Sequence, residues 1–172
     1  MGLSTFDVFK RLKISDAFEL SDSDLRRLQN VLVGILSDVD IVCRDSGLTY
    51  MLGGGTALGA CRHKGFIPWD DDIDLNIPRA DYDRFIPLFR ERFGSKYWIH
   101  TPNETPGYGL AFGRIRLKES SVKTREDFIN AQPECGAFVD LFVIENSPSN
   151  CVLRALHGMG SLALGFLYSC RK

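Results

Sequence analysis

At 172 residues, 44% hydrophobic and 25% charged, the chain is large enough to bury one core of its own, and a single domain over residues 1–172 is expected. Its 21 basic and 22 acidic residues nearly cancel, so no global charge draws it to nucleic acid or to an anionic membrane. Any specificity has to come from a local site.

Five scattered cysteines with no C-x-x-C pair exclude a zinc module and point to reduced thiols. The charged N-terminal stretch has no apolar run of signal-peptide length, and a cytoplasmic location follows as an expectation. In chain order, Ser21 and Asp24 resemble a capping box, and Leu25, Leu28, Leu32, Ile35, Leu36, Val39 and Cys43 then recur at helical spacing up to Gly47. Leu48 to Leu52 reads as a strand running into Gly53-Gly54-Gly55, and a second helix is expected from Thr56 to near Gly65. From Asp72 the alternation Asp-Ile-Asp-Leu-Asn-Ile predicts a strand ended by Pro78, with Asp72, Asp74 and Asn76 on one face. Arg79 to Phe93 predicts a helix with an aromatic side, kinked at Pro87 and ended by Gly94.

Strands are expected over Lys96 to Thr101, Ala111 to Leu117 and Ala137 to Ile144. Mixed elements of this kind define an α/β or α+β sheet domain with core motifs over residues 48–144. The apolar stretch Val152 to Cys170 predicts a packed or surface-lying helix, because Arg154 and three glycines weaken a membrane span. Such a helix offers a peripheral attachment to the inner face of a membrane. The chain stops two residues later, which points to a C-terminally truncated or unusually short form.

Four residues need a chemical explanation first. Asp70, Asp71, Asp72 and Asp74 repel one another, and a strand disfavours aspartate. Hard oxygen ligands at this density suit Mg²⁺, Mn²⁺ or Ca²⁺. An EF-hand is excluded because Leu75 and Asp81 stand where that loop needs glycine and glutamate, and Pro78 interrupts it. Gly53-Gly54-Gly55, between a strand and a helix, forms a phosphate-cradle pattern or simply a tight turn. It matches neither the dinucleotide fingerprint nor the Walker loop. Arg62, His63 and Lys64 close the second helix, where they could meet phosphate charge or only the helix dipole. Arg114, Arg116 and Lys118 alternate on one strand face, either as a basic wall for an anionic substrate or as a solvated surface. Asp140 stands alone in the apolar run Phe138 to Val143, where a charge requires a partner or a metal. With Asp72 and Asp74 it supplies three carboxylates on two strands, enough to hold metal ions against a transferring phosphate.

The stretch from Gly54-Gly55-Thr56 through Arg62-His63-Lys64-Gly65-Phe66-Ile67-Pro68-Trp69 to Asp70-Asp71-Asp72-Ile73-Asp74 closely resembles the LicD family, related to fukutin and fukutin-related protein. Gly136-Ala137-Phe138-Val139-Asp140-Leu141-Phe142 resembles its second signature. The resemblance implies a DNA polymerase β-like nucleotidyltransferase fold, a mixed sheet flanked by helices. It also implies a metal-dependent transferase that moves phosphocholine or a polyol phosphate from a CDP-linked donor such as CDP-choline onto a cell-surface glycan. Asp72, Asp74 and Asp140 would be the catalytic and Mg²⁺ (or Mn²⁺) residues. Gly54, Gly55, Thr56, Arg62, His63, Lys64 and Arg114 would face the nucleotide and its phosphates. After the third acid the family continues aromatic-proline-leucine-aspartate, whereas this chain reads Val143-Ile144-Glu145-Asn146. Two alternatives stand beside this reading: a nucleotidyltransferase that makes a nucleotide-linked metabolite, and a non-catalytic metal- or nucleotide-binding fragment.

Overall fold

The computed structural model describes residues 20–122 and 134–170. They divide between two compact units, Leu20–Glu145 and a second that includes Asn146 onward. The first helix, α1 (Asp22–Ser46), opens where the Ser21 hydroxyl accepts the Asp24 amide and closes where Gly47 turns left-handed at φ 61°. Ser21 also donates to the Asp24 carboxylate, so the cap closes through the two side chains. Leu32, Ile35, Val39, Val42 and Cys43 form its buried stripe, as their spacing predicts.

Five strands follow: β1 (Met51–Leu52), β2 (Asp74–Pro78), β3 (Tyr97–His100), β4 (Gly113–Leu117) and β5 (Phe138–Ile144). Their order across the sheet is β1-β2-β5-β4-β3, with β2 parallel to β5 and the other pairs antiparallel. This is a mixed sheet flanked by helices, an α+β architecture. β1 is shorter than the Leu48–Leu52 expectation, and β2 begins at Asp74, not Asp72. Helix α2 spans Gly54–His63 and starts two residues early because extended Gly53 serves as its cap; it ends on Lys64, which is left-handed at φ 61°. Helix α3 (Arg79–Phe93) runs uninterrupted through Pro87.

Alternation sorts the sheet into two faces. One face, with Leu75, Ile77, Ile115, Val139 and Leu141, is fully buried in a core shared with α1 and α3. Phe85, Phe89, Phe93 and Tyr97 extend this core as a chain of rings with centroids 5.2 to 5.4 Å apart. Each of these large side chains adds about 1.5–3 kcal/mol on full burial. That face anchors the sheet. The opposite face is free to carry polar groups, and they are held on a rigid platform.

In the second unit, α4 (Cys151–Cys170) is capped by the Asn150 carboxamide oxygen, which accepts the Val152 and Leu153 amides. Its apolar side chains from Val152 to Leu167 are largely exposed. No helix among the described residues is long and apolar enough to cross a membrane.

Candidate active site

Strand register builds the centre of the site. Asp74 pairs with Asp140 across the parallel β2/β5 ladder, Asp140 with Arg114 across β5/β4, and Arg114 with His100 across β4/β3. Directly paired residues project from the same face, so carboxylate, carboxylate, guanidinium and imidazole form one row over four strands. Arg114 donates from Nε and Nη2 to the two Asp140 oxygens at 2.6 and 2.8 Å. This is a bidentate pair in which both residues are at most 5% exposed. Arg114 also lies over the Phe138 ring, 3.8 Å from its centroid. Burial still outweighs the Arg114 contact, and the Asp140 carboxyl sits above its ordinary range.

The glycine turn and the acids are built against each other. A Cβ on Gly54, whose φ is +42°, would come within 2.7 Å of Asp74 Oδ2, and one on Gly55 within 2.9 Å of Asp70 Oδ2. Only bare backbone lets these carboxylates stand over the N-terminus of α2. The Thr56 hydroxyl accepts the Asp74 amide at 2.9 Å, and Gly53 donates its amide to the Asp74 carbonyl, so helix and strand hold each other in place. Gln29 of α1 donates to the Asp70 carbonyl from the other side.

Asp72 lies just ahead of β2, yet the alternation runs through it: Ile73, Leu75 and Ile77 are buried, Asp72, Asp74 and Asn76 are partly buried, and the Asp140 amide donates to the Ile73 carbonyl. Partial burial and the charges of Asp74, Asp70, Asp71 and Asp140 push the Asp72 carboxyl up to about 6. Asp74 and Asp70 are raised too, chiefly by desolvation. Asp70 Oδ2 is buried and has no hydrogen-bond partner. Arg114 pairs with Asp140 directly and acts on Asp74 from a distance, while Asp72 and Asp70 feel chiefly burial and other carboxylates. Among the described residues, no group of three or more His, Cys, Asp or Glu side chains is drawn together closely enough to hold a metal ion as it stands.

Other expected residues fall elsewhere. Arg62, His63 and Lys64 are exposed at the far end of α2, roughly 12 Å along its axis from Gly54 at 1.5 Å per residue. Arg116 is buried with its guanidinium 5.2 Å from the Phe138 centroid, and Lys118 donates to the Gly94 carbonyl, so the alternating cations are not a solvated wall. Residues not singled out beforehand complete the surroundings. His100 is buried, 3.2 Å from Glu134 and stacked on Tyr108 at 5.5 Å, and Trp69 is 72% exposed beside the acidic run. An apolar-flanked histidine at a strand end was the available signal for the first of these.

A mixed sheet with a helix that starts on a glycine pair, and with acids on two adjacent parallel strands, defines a nucleotidyltransferase-like domain. The chain belongs to the LicD/FKTN/FKRP family, whose nucleotidyltransferase domain matches residues 47–150. It is 42% identical over 80 residues to the lipopolysaccharide cholinephosphotransferase LicD of Haemophilus influenzae, a match covering 46% of this chain and 30% of that protein. It is 43% identical over 57 residues to the ribitol 5-phosphate transferase FKRP of Homo sapiens, covering 33% and 10%. An uncharacterised protein of Rickettsia typhi matches at 32% over 85 residues, covering 48% and 24%. The chain thus spans less than a third of the length of each of these relatives.

Proposed function

We propose that this chain is the donor-handling domain of a phosphotransferase that moves a phosphorylated group, phosphocholine or a polyol phosphate, from a CDP-linked donor to a glycan hydroxyl. The observation that carries the reading is the register of Asp74 against Asp140 beside the glycine-opened helix. The names of the relatives, a cholinephosphotransferase and a ribitol 5-phosphate transferase, favour phosphoryl-group transfer over other chemistries.

The residues present suit a hard divalent cation, Mg²⁺ or Mn²⁺. Asp72 and Asp74 are oxygen donors held above their ordinary pKa by burial and by neighbouring carboxylates, and the buried Asp70 oxygen is unpartnered. A donor diphosphate brought to Gly54 and Gly55 would meet carboxylates already standing there, and two sets of negative charge coexist only with a cation between them. When bound, the ion would neutralise phosphate charge.

The chain's own groups do the rest. Backbone amides at the start of α2 orient the phosphates, and Thr56 keeps Asp74 in place through its amide. The acceptor oxygen attacks the phosphorus that carries the transferred group, the bond from that phosphorus to the CMP oxygen breaks, and CMP leaves. Asp140, with its raised pKa, takes the hydroxyl proton while Arg114 fixes its orientation and contributes positive charge. Arg62, His63 and Lys64 would serve only an extended part of the nucleotide.

Release of CMP from CDP-choline and from CDP-polyols, with Mg²⁺ or EDTA and beside Asp74→Asn, tests the reading. Metal-dependent CMP release that the variant lacks is expected. Pyrophosphate as the product from a nucleoside triphosphate would establish the nucleotidyltransferase alternative. Metal-dependent CDP binding without turnover would establish the binding fragment.

A further inference from the structure

A pocket of about 650 Å³ lies beyond the ends of β2 and β5, bounded by the first half of α3 and the two ends of the segment that joins β3 to β4. Its size falls in the range of small-molecule sites, about 300–1,000 Å³. One wall is the ring pair Phe112 and Phe142, with centroids 4.5 Å apart. Tyr82 of α3 also lines it, and its hydroxyl is buried against Gly113 with no hydrogen-bond partner. Tyr82 is only 7% exposed. A buried hydroxyl in that state has hydrogen-bonding capacity left for a group entering the pocket.

The pocket adjoins the catalytic row. Phe142 follows Asp140 by two residues on the same face of β5, about 7 Å away at strand rise. The Arg114 guanidinium lies 5.8 Å from the Phe112 centroid. A ring seated on the aromatic pair therefore sits next to the proposed base.

Charge decides what kind of ring. Among the described residues the lining holds Asp83, Glu104 and Glu145 against Arg79, which disfavours an anion such as free phosphate. These carboxylates are already engaged: Arg79 with Glu145 and Asp83, and Arg90 with Glu104. Little unbalanced charge is left to draw in a quaternary ammonium. What fits aromatic faces, paired charges and one uncompleted hydroxyl is a neutral, hydrogen-bonding, partly apolar molecule.

We propose that this pocket is the acceptor subsite, binding a neutral saccharide or polyol against Phe112 and Phe142 with the Tyr82 hydroxyl as its buried hydrogen-bonding group. The assignment rests on the glycan-directed reading above and adds a place for the acceptor that the acids alone do not provide.

The test titrates methyl glucoside, methyl galactoside and ribitol into the full chain, followed by ligand-observed saturation-transfer NMR, with choline chloride as the rival. Binding is expected for at least one of the neutral ligands. Tyr82→Phe, which keeps the ring and its packing, should weaken it about three- to tenfold, the loss of one hydrogen bond. Phe112→Leu should weaken it by a similar factor through lost ring contact. Absence of binding to folded protein overturns the proposal, as does binding that both variants leave unchanged, or choline binding that those variants abolish in place of sugar binding. CMP release without saccharide binding would sink the pocket and leave the donor chemistry standing; variant-sensitive saccharide binding without CMP release would do the reverse.

Discussion

Replacing Asp72 with asparagine should stabilise the metal-free chain while removing its response to Mg²⁺. Desolvation and four neighbouring aspartates raise the Asp72 carboxyl from 3.8 to about 6. A displacement of about 2 on the pH scale corresponds to ~3 kcal/mol at 1.36 kcal/mol per pH unit. Solvent screening of this partly buried group reduces that to about 1–1.5 kcal/mol. The sign follows from the folded-state pKa lying above the unfolded one, so that the ionised form opposes folding. Below about pH 3.8 the group is protonated in both states and costs nothing; the penalty grows between 3.8 and 6 and is constant above 6. In EDTA at pH 7.5, Asp72→Asn should therefore melt about 4 °C above the parent chain, and its stability should vary less between pH 4 and 6. Added Mg²⁺ should close that gap. At ten times its Kd the ion would stabilise the parent chain by about 1.4 kcal/mol and the variant by much less. Thermal melts by circular dichroism across pH, with EDTA or Mg²⁺, measure all of this. A variant no more stable than its parent in EDTA, or an equal Mg²⁺ response in both, would refute the claim that these acids are assembled for an absent cation.

Arg114→Met should cost about 3–5 kcal/mol in urea denaturation, because it leaves Asp140 buried without its cation, and Arg114→Met with Asp140→Leu should recover most of that. Gly54→Ala should lower stability by about 1–3 kcal/mol and depress CMP release at least tenfold, since φ +42° and the Asp74 oxygen at 2.7 Å leave no room for a Cβ. Gly65→Ala, which meets nothing within 4 Å, should stay within about 0.5 kcal/mol of the parent in the same two assays. The exposed thiols of Cys61 and Cys151 should react promptly with an aromatic disulfide reagent. Cys43, buried with its thiol pushed up to about 11, should react only on unfolding, as absorbance with and without urea would show.

Elements with a local cause were legible in the sequence. Helix α1 follows from one stripe of apolar residues between Ser21 and Gly47, and α3 from its aromatic side up to Gly94. β5 follows from seven nearly apolar residues. Boundaries set by backbone geometry were less so. Gly53 caps α2 through an extended conformation that any residue can adopt, and Lys64 takes the left-handed position where Gly65 seemed the natural end. The alternation from Asp72 was legible too, but it could not show that the paired register with β5 begins two residues later, at Asp74.

The site itself required knowing which strands are neighbours. The order β1-β2-β5-β4-β3 sets Asp74 and Arg114 on opposite sides of Asp140, although all three come from distant parts of the chain. Local pattern could say that Asp140 needed a partner; it could not choose between a metal and one of the alternating arginines. Register makes that choice for the resting chain, since the guanidinium takes both Asp140 oxygens while the acids at the start of β2 are left to repel one another. The two strands thus carry different kinds of carboxylate. One is oriented by a fixed cation and suited to handling a proton. The others are kept raised by burial and by one another's charge, which is the state that the proposed exchangeable cation would relieve.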